Sequence, residues 1–301
     1  MFSCANDTFS KVVDDFSYIS VNSFGKIEKI GNNSGKISTI PISENLFSSN
    51  STYSNSIAYN SEKIFIKNYS TLYAFDRKTN TSVSKILTYP KDMIIGTDPS
   101  MTSMIWDESN KTLYGIVVAD IYNNSICYFV KINSTTLDIN YTGLSFNQRG
   151  GAYSAFLNGN KIYSSSDSHL GTSNTIEIDI ESNTAKQVLF NNSNISFIRA
   201  ASYINNTAIC IRDKNDGSFA LCKINLNDHS YEDLLLNESL NIFTPTGNGF
   251  IDKSTNEYIC FLEVNTQFRI LKYNLITKKY TILELNNPYD HDISIIDKVA
   301  N

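Results

Sequence analysis

A chain of 301 residues that is 41% hydrophobic and only 18% charged can bury a large core, which excludes the disordered and fibrous classes. Its 30 acidic and 25 basic side chains give a formal charge of −5. No Lys/Arg cluster offsets that charge, so the chain repels a phosphate backbone and nucleic acid is excluded as a partner. No apolar run approaches the roughly 18 residues of a membrane span, and a soluble protein is expected. Tyr and Phe number 18 and 17 against the single Trp106, and Ile, Val and Thr are frequent, as in pleated sheet. Apolar residues at i, i+3, i+4, i+7 are scarce, so the expected class is all-β.

The amino terminus, MFSCAND, lacks the charged and apolar regions of a secretory signal, so its literal reading is a cytoplasmic protein with residues 1–14 as a flexible leader. A second reading stays open. Phe2-Ser3-Cys4 before a polar segment also matches the end of a bacterial lipoprotein signal, which would make Cys4 the lipidated residue of a secreted or surface protein.

The first strand read from the sequence is Phe16 to Val21 (FSYISV), followed by a hairpin from Ile27 to Ile40 (IEKIGNNSGKISTI). Two hairpins then come in succession, Ser56 to Lys67 (SIAYNSEKIFIK) and Leu72 to Leu87 (LYAFDRKTNTSVSKIL). The same succession recurs as Ser103 to Val118 with Phe129 to Tyr141, and as Tyr153 to Ser164 with Ile176 to Leu189. It returns as Ala201 to Arg212 with Leu221 to Leu234, and as Gly249 to Leu262 with Leu271 to Leu283. The second hairpin of each unit turns at Gly31, Asp76, Asn133, Asp179, Asn225 or Asn274. Asp and Asn initiate turns by bonding backbone amides, and Gly by its freedom in φ.

A unit of four strands repeating every 45 to 50 residues or so is the signature of a β-propeller. The expected fold is therefore all-β, a six-bladed β-propeller of four-stranded antiparallel blades, formed by residues 1–301 as one domain. The first unit lacks a strand. Asp292 to Lys298 (DISIIDK) reads as an innermost strand and echoes Phe250 to Lys253 (FIDK). It is expected to complete the N-terminal blade and close the ring, which removes an exposed sheet edge. The long interval between Asp76 and Asn133 is read as a crossover from Tyr89 to Met101. An open sandwich and a seven-bladed ring are the rival folds, and six near-regular anchors argue against both.

The segment Thr71 to Thr81 (TLYAFDRKTNT) resembles the outer hairpin of quinoprotein-type and YVTN/TolB-type propellers, in which an aromatic residue, an aspartate and a Lys-Thr-Asn turn recur. One good copy and five weak ones point to that superfamily and to no individual family. Kelch repeats would need recurring Gly-Gly, found only at Gly150-Gly151, and WD40 repeats recurring Trp-Asp, found only at Trp106-Asp107.

Five cysteines without regular spacing form neither a disulfide framework nor a zinc site. Cys210 and Cys222 flank a turn. If its loop is Asn215 to Gly217, they lie directly opposite one another, and both a cross-strand disulfide and two buried thiols fit. Asn-x-Ser/Thr triplets, at Asn50, Asn68, Asn80, Asn110, Asn133, Asn194 and Asn237 among others, fit glycan acceptors and also ordinary β-turns.

The resemblance implies a ligand site at the channel end ringed by the connections between blades and the loops between second and third strands. Asp98, Arg149, Asp167, His169, Arg199, Asp213, His291 and Asp292 are the candidate binding residues there. Arg149 and Arg199 read either as a fork for a carboxylate or phosphate or as solvated loop arginines. His169 and His291, with Asp167 and Asp292, have the chemistry of a general base and its orienting carboxylate, but no paired metal spacing. Ser164 to Ser168 is serine-rich without a nucleophile elbow. Trp106 and Tyr203 fall on innermost strands and either line the channel or pack between blades. No motif specifies a cofactor or assigns a metal site. The expected function is a non-catalytic binding or interaction propeller, a monomer holding a protein or glycan. The alternative is a metal-dependent hydrolase or lyase resembling sugar-lactone hydrolases, with Asp98, Asn147 and Asp167 as oxygen ligands.

Overall fold

The computed structural model describes residues 12–22, 24–41, 56–68, 70–93, 99–119, 126–148, 154–166, 174–195, 197–214, 218–235, 242–243, 248–264, 267–285 and 293–300. Blade 1 begins with β1 (Phe16–Asn22), β2 (Ile27–Gly31) and β3 (Ile37–Thr39). Blade 2 is β4 (Ile57–Tyr59), β5 (Lys63–Asn68), β6 (Thr71–Asp76) and β7 (Thr81–Ile86). Blade 3 is β8 (Ser100–Asp107), β9 (Thr112–Ala119), β10 (Ile126–Ile132) and β11 (Ile139–Asn147). Blade 4 is β12 (Ser154–Asn158), β13 (Lys161–Ser165), β14 (Thr175–Asp179) and β15 (Thr184–Val188). Blade 5 is β16 (Phe197–Ser202), β17 (Thr207–Asp213), β18 (Phe219–Asn225) and β19 (Ser230–Leu235). Blade 6 is β20 (Ile242–Phe243), β21 (Phe250–Asp252), β22 (Glu257–Val264), β23 (Gln267–Asn274) and β24 (Tyr280–Glu284). The last strand, β25 (Ile293–Ala300), pairs antiparallel with β1 and gives blade 1 the order β25-β1-β2-β3. The six-bladed ring and its closure are as the repeat predicts. No described helix is long and apolar enough to cross a membrane.

One turn design recurs at the outer hairpins. Asp76 Oδ1 accepts from the amides of Lys78 and Thr79 at 2.9 and 2.8 Å. Asn133 does the same for Thr135 and Thr136, and Asn274 for Ile276 and Thr277. Four residues past each anchor the backbone turns left-handed, at Asn80, Leu137, Asn183, His229 and Lys278. Blade 1 lacks the side chain, because its anchor is Gly31. Asp14 replaces it from outside the turn: its Oδ1 accepts from the amides of Asn33 and Ser34 at 2.9 and 2.8 Å, the same two positions past the anchor. A Cβ on Gly31 would lie 2.2 Å from Asp14 Oδ2, so the glycine is what admits the substitute carboxylate. Residues 12–14 are the described part of the expected flexible leader, and Asp14 is held by these bonds.

The core is divided among the interfaces between blades. Six buried apolar clusters each draw on two neighbouring blades, such as Phe65 and Leu113 between blades 2 and 3, or Phe156 and Phe197 between blades 4 and 5. A middle strand is therefore buried on both faces, as in β9 with seven successive buried residues, while the outer β7 is largely exposed. Trp106 belongs to this packing: it stacks on Phe65 of blade 2 at 5.9 Å. Tyr203 likewise bonds Asn256 of blade 6. Cys210 and Cys222 are directly opposed, as expected, and are buried thiols whose sulfurs approach to 3.1 Å.

The closing strand is fixed on both sides. A bulge opposite Ile19 and Ser20 inserts Ile296 between Ile295 and Asp297. Ile295 enters the cluster shared with blade 6, and Ile296 the one shared with blade 2. Asp297 then meets Arg77 of blade 2 at 2.6 Å, while Lys298 reaches Asp252 and Ser254 of blade 6 at 2.5 and 2.6 Å. Asp252 is 3% exposed. Burial alone would raise its carboxyl, but the bonds from Lys298 and Ser254 outweigh burial and hold it below the ordinary range.

Lys298→Met leaves the Asp252 carboxylate buried without its cation. We expect a loss of about 2 kcal/mol in urea unfolding, below the roughly 3–5 kcal/mol of a fully buried pair, because the Lys298 side chain is 30% exposed. The Asp252 pKa is depressed in the folded state, so its contribution is present above the unfolded value near 4 and fades as pH falls. The difference between variant and wild type should narrow below about pH 4; a constant difference would show that the pair is not the cause. Asp14→Ala should cost about 1 kcal/mol, as for a lost cap, and Gly31→Asp should also destabilise. Together the two changes should recover much of the loss in thermal melts, whereas additive losses would rule out the substitution.

Candidate functional site

Each innermost strand begins at the same end of the channel, because it enters from the outer edge of the preceding blade. The loops between second and third strands lie at that end too, so this is the face where the sequence places its candidates. Of these, Asp98, Arg149, Asp167, His169, His291 and Asp292 lie outside the described residues. Asp213 is the last residue of β17, opposite Phe219.

Arg199 differs from expectation. It lies within β16, and it is fully buried. The register of β16 against β17 shifts between Ile198 and Ala201, and Arg199 has φ of 51°, a left-handed conformation uncommon for a non-glycine residue. The matching irregularity is in blade 6, whose innermost strand is split into β20 and β21, both paired to β22. Gly249 runs beside the Arg199 bulge, where a Cβ would meet Arg199 O and Tyr258 Oη at 2.4 Å. Tyr258 donates its hydroxyl hydrogen to Arg199 O. Burial pushes the neighbouring Cys260 thiol up to about 11, with the Arg199 charge opposing it. The preceding residue, Asn248, reaches past blade 1: its amide nitrogen donates to Ser294 Oγ at 3.3 Å and its side chain to Ile57 O of blade 2 at 3.5 Å.

Around this end the contacts between blades change from apolar to polar. Ser56 Oγ donates to Met101 O, and Ser165 Oγ accepts from the amide of Phe197. Thr175 Oγ1 donates to Ile195 O. Gln148 holds Ser164 twice, by its carbonyl oxygen and by its amide nitrogen. These hydroxyls and amides join neighbouring blades, with Ser164 among them.

Lys67, near the end of β5, is the residue the sequence reading missed. It is 3% exposed, and its Nζ donates to Ser100 Oγ, across the interface with blade 3, at 2.9 Å. Burial lowers its pKa to about 8. The signal was a lysine inside the apolar run KIFIKN, between two residues whose neighbours pack on both faces. The third histidine, His229, lies at the other end, on a turn of blade 5. There its Nε2 is 3.8 Å from the buried Glu177, which Lys161, Lys186 and Tyr163 also hold. Among the described residues no three His, Cys, Asp or Glu side chains converge as a metal site would require.

A scan of protein-family models finds no match to the chain, and a search of curated proteins finds none either. Solved structures of TolB-like propellers do match. TolB from Acinetobacter baumannii superposes with a TM-score of 0.58 at 12% identity, over 93% of this chain and 65% of that one. A putative TolB from Agrobacterium tumefaciens gives 0.51 at 8% identity, over 90% and 89%. A puromycin hydrolase gives 0.53 at 9% identity, over 93% of this chain but 54% of its own. The chain thus spans less than two thirds of the first and third of these proteins. At such identities the likeness is one of fold alone.

Lys67 makes a pH signature. The unfolded chain keeps that proton up to about 10.5 and the folded chain releases it near 8, so between those values the unfolded state binds more protons and stability rises with pH. Urea midpoints at pH 7.5 and 10 should rise more for wild type than for Lys67→Met. Equal changes would mean that Lys67 titrates normally.

Proposed function

We propose that the protein is a non-catalytic binding propeller that holds a protein or glycan partner on the channel end where the innermost strands begin. One observation supports the reading: the hydroxyls of Ser56, Ser164, Ser165 and Thr175 bond backbone or amide groups of the adjacent blade or of the connection leading to it, a rigid polar rim suited to carrying recognition loops. Ser100 accepts from the buried amine of Lys67. The Asp98, Arg149, Asp167, His169, His291 and Asp292 loops are different in every blade, as suits recognition of one partner rather than a repeated contact.

A photo-crosslinker in place of Arg149 should capture a partner from native extract or a bound glycan, while one in place of Thr79, on the opposite end, should not. Capture from position 79 alone would move the site, and labelling of Ser100 by a fluorophosphonate would overturn the non-catalytic reading. The metal-dependent hydrolase, with Asp98, Asn147 and Asp167 as ligands, is tested by melting with calcium, magnesium or zinc and then EDTA. A metal at a hundred times its dissociation constant would stabilise by about 2.7 kcal/mol, and such a shift would favour that reading.

A further inference from the structure

A cavity of about 580 Å³ opens between blades 1 and 2, at the seam where the ring closes. Its size falls within the roughly 300–1,000 Å³ of small-molecule sites. It lies beside β3, which has three residues against six in the corresponding β7 of blade 2. The floor is made by Ile40, Pro41 and Val299, with Ile19, Ile27, Ile64 and Phe75 buried beneath.

The charged lining is entirely basic: Lys29 on β2, with Arg77 and Lys78 after β6. Arg77 is committed to the fold, donating to Asp297 Oδ2 at 2.6 Å and to Asn60 O at 2.9 Å. Neither Lys29 nor Lys78 is paired with a carboxylate among the described residues. Bare water is a poor occupant of a space with this floor, since hydrocarbon gains by leaving water at about 25 cal/mol per Å². A hydrophilic anion would leave the floor wasted, and a neutral hydrocarbon would leave the ammonium groups without a counter-charge.

We propose that this cleft binds an amphipathic monocarboxylate, its hydrocarbon body on the floor and its carboxylate held by Lys29 and Lys78. The site is separate from the channel end, and its walls belong to two different blades. A bound molecule therefore links blade 1 to blade 2 beside the closing strand, and stabilises the closed ring by an amount that grows with the logarithm of its concentration above the dissociation constant.

Decanoate below its micellar concentration, titrated into the full chain by calorimetry and followed by thermal melting, tests this. We expect one saturable site per chain, a melting temperature that rises with decanoate, and weakening by added salt. Decanol and inorganic phosphate should each bind at least about tenfold more weakly. Lys29→Met with Lys78→Met should weaken decanoate by about tenfold or more without altering the melt of the unliganded chain. Ser38→Trp, an exposed substitution on the rim, should block the cleft and abolish binding. The proposal is overturned if wild type shows no saturable binding, if decanol binds as well as decanoate, or if both sets of variants bind decanoate unchanged.

Discussion

The pairing of β25 with β1 is the contact on which the rest of the ring depends. An ordinary domain buries its apolar residues in one place, but here each cluster is half supplied by each of two blades, and a blade with one neighbour leaves a whole face wet. Without β25, blade 1 would lose its innermost strand, and the clusters toward blades 2 and 6 would open together. The bulge at Ile296 shows how closely this is specified. It resets the alternation so that Ile296 and Asp297 both face blade 2 and Lys298 faces blade 6, and each charge meets its complement. Closure is thus encoded as a charge pattern over an apolar one, and a strand slipped by one residue would place each charge against the wrong blade.

The fold was legible because its signals are local and repeated. An Asp or Asn that bonds the amides two and three residues on, and a left-handed residue four positions on, need only one hairpin to be recognised. What escaped the sequence reading depends on partners a blade or more away. Arg199 reads as a loop arginine until its bulge is seen against the split strand of blade 6; Gly249 explains the bulge only when Tyr258 is placed beside it. Ile242 and Phe243 form too short a segment to announce a strand, and gain that status from Val264 and Glu263. Lys67 looked like the end of a hairpin, while its burial is decided by blade 3.

The two ends of the ring have different chemistry for a related reason. At the turn end the hairpins satisfy their own backbone groups, and longer side chains such as Lys63 and Tyr203 then reach from one blade's turn to the next. At the other end the hydroxyls and amides are spent on neighbours: Ser165 on Phe197, Thr175 on Ile195, Asn248 on both Ser294 and Ile57. Substitution at an outer-hairpin anchor such as Asp76, Asn133 or Asn274 acts within one blade. At the channel end it is shared between two, which constrains the supporting positions while leaving the loops they carry free to differ.

Asp14 and Gly31 give the same coupling a history. The turn in blade 1 is completed by a carboxylate from outside it, and the space that carboxylate occupies is the space an anchor side chain would need. Neither residue can be exchanged alone for the arrangement found in the other blades: an aspartate arriving first at position 31 collides, and Asp14 lost first leaves two amides unsatisfied. The pair forms an epistatic lock, in which every one-step route back to the ordinary repeat runs downhill in fitness of the fold. A lineage that has entered this state is expected to keep both residues together, and to make blade 1 diverge from its siblings in sequence while its backbone stays the same.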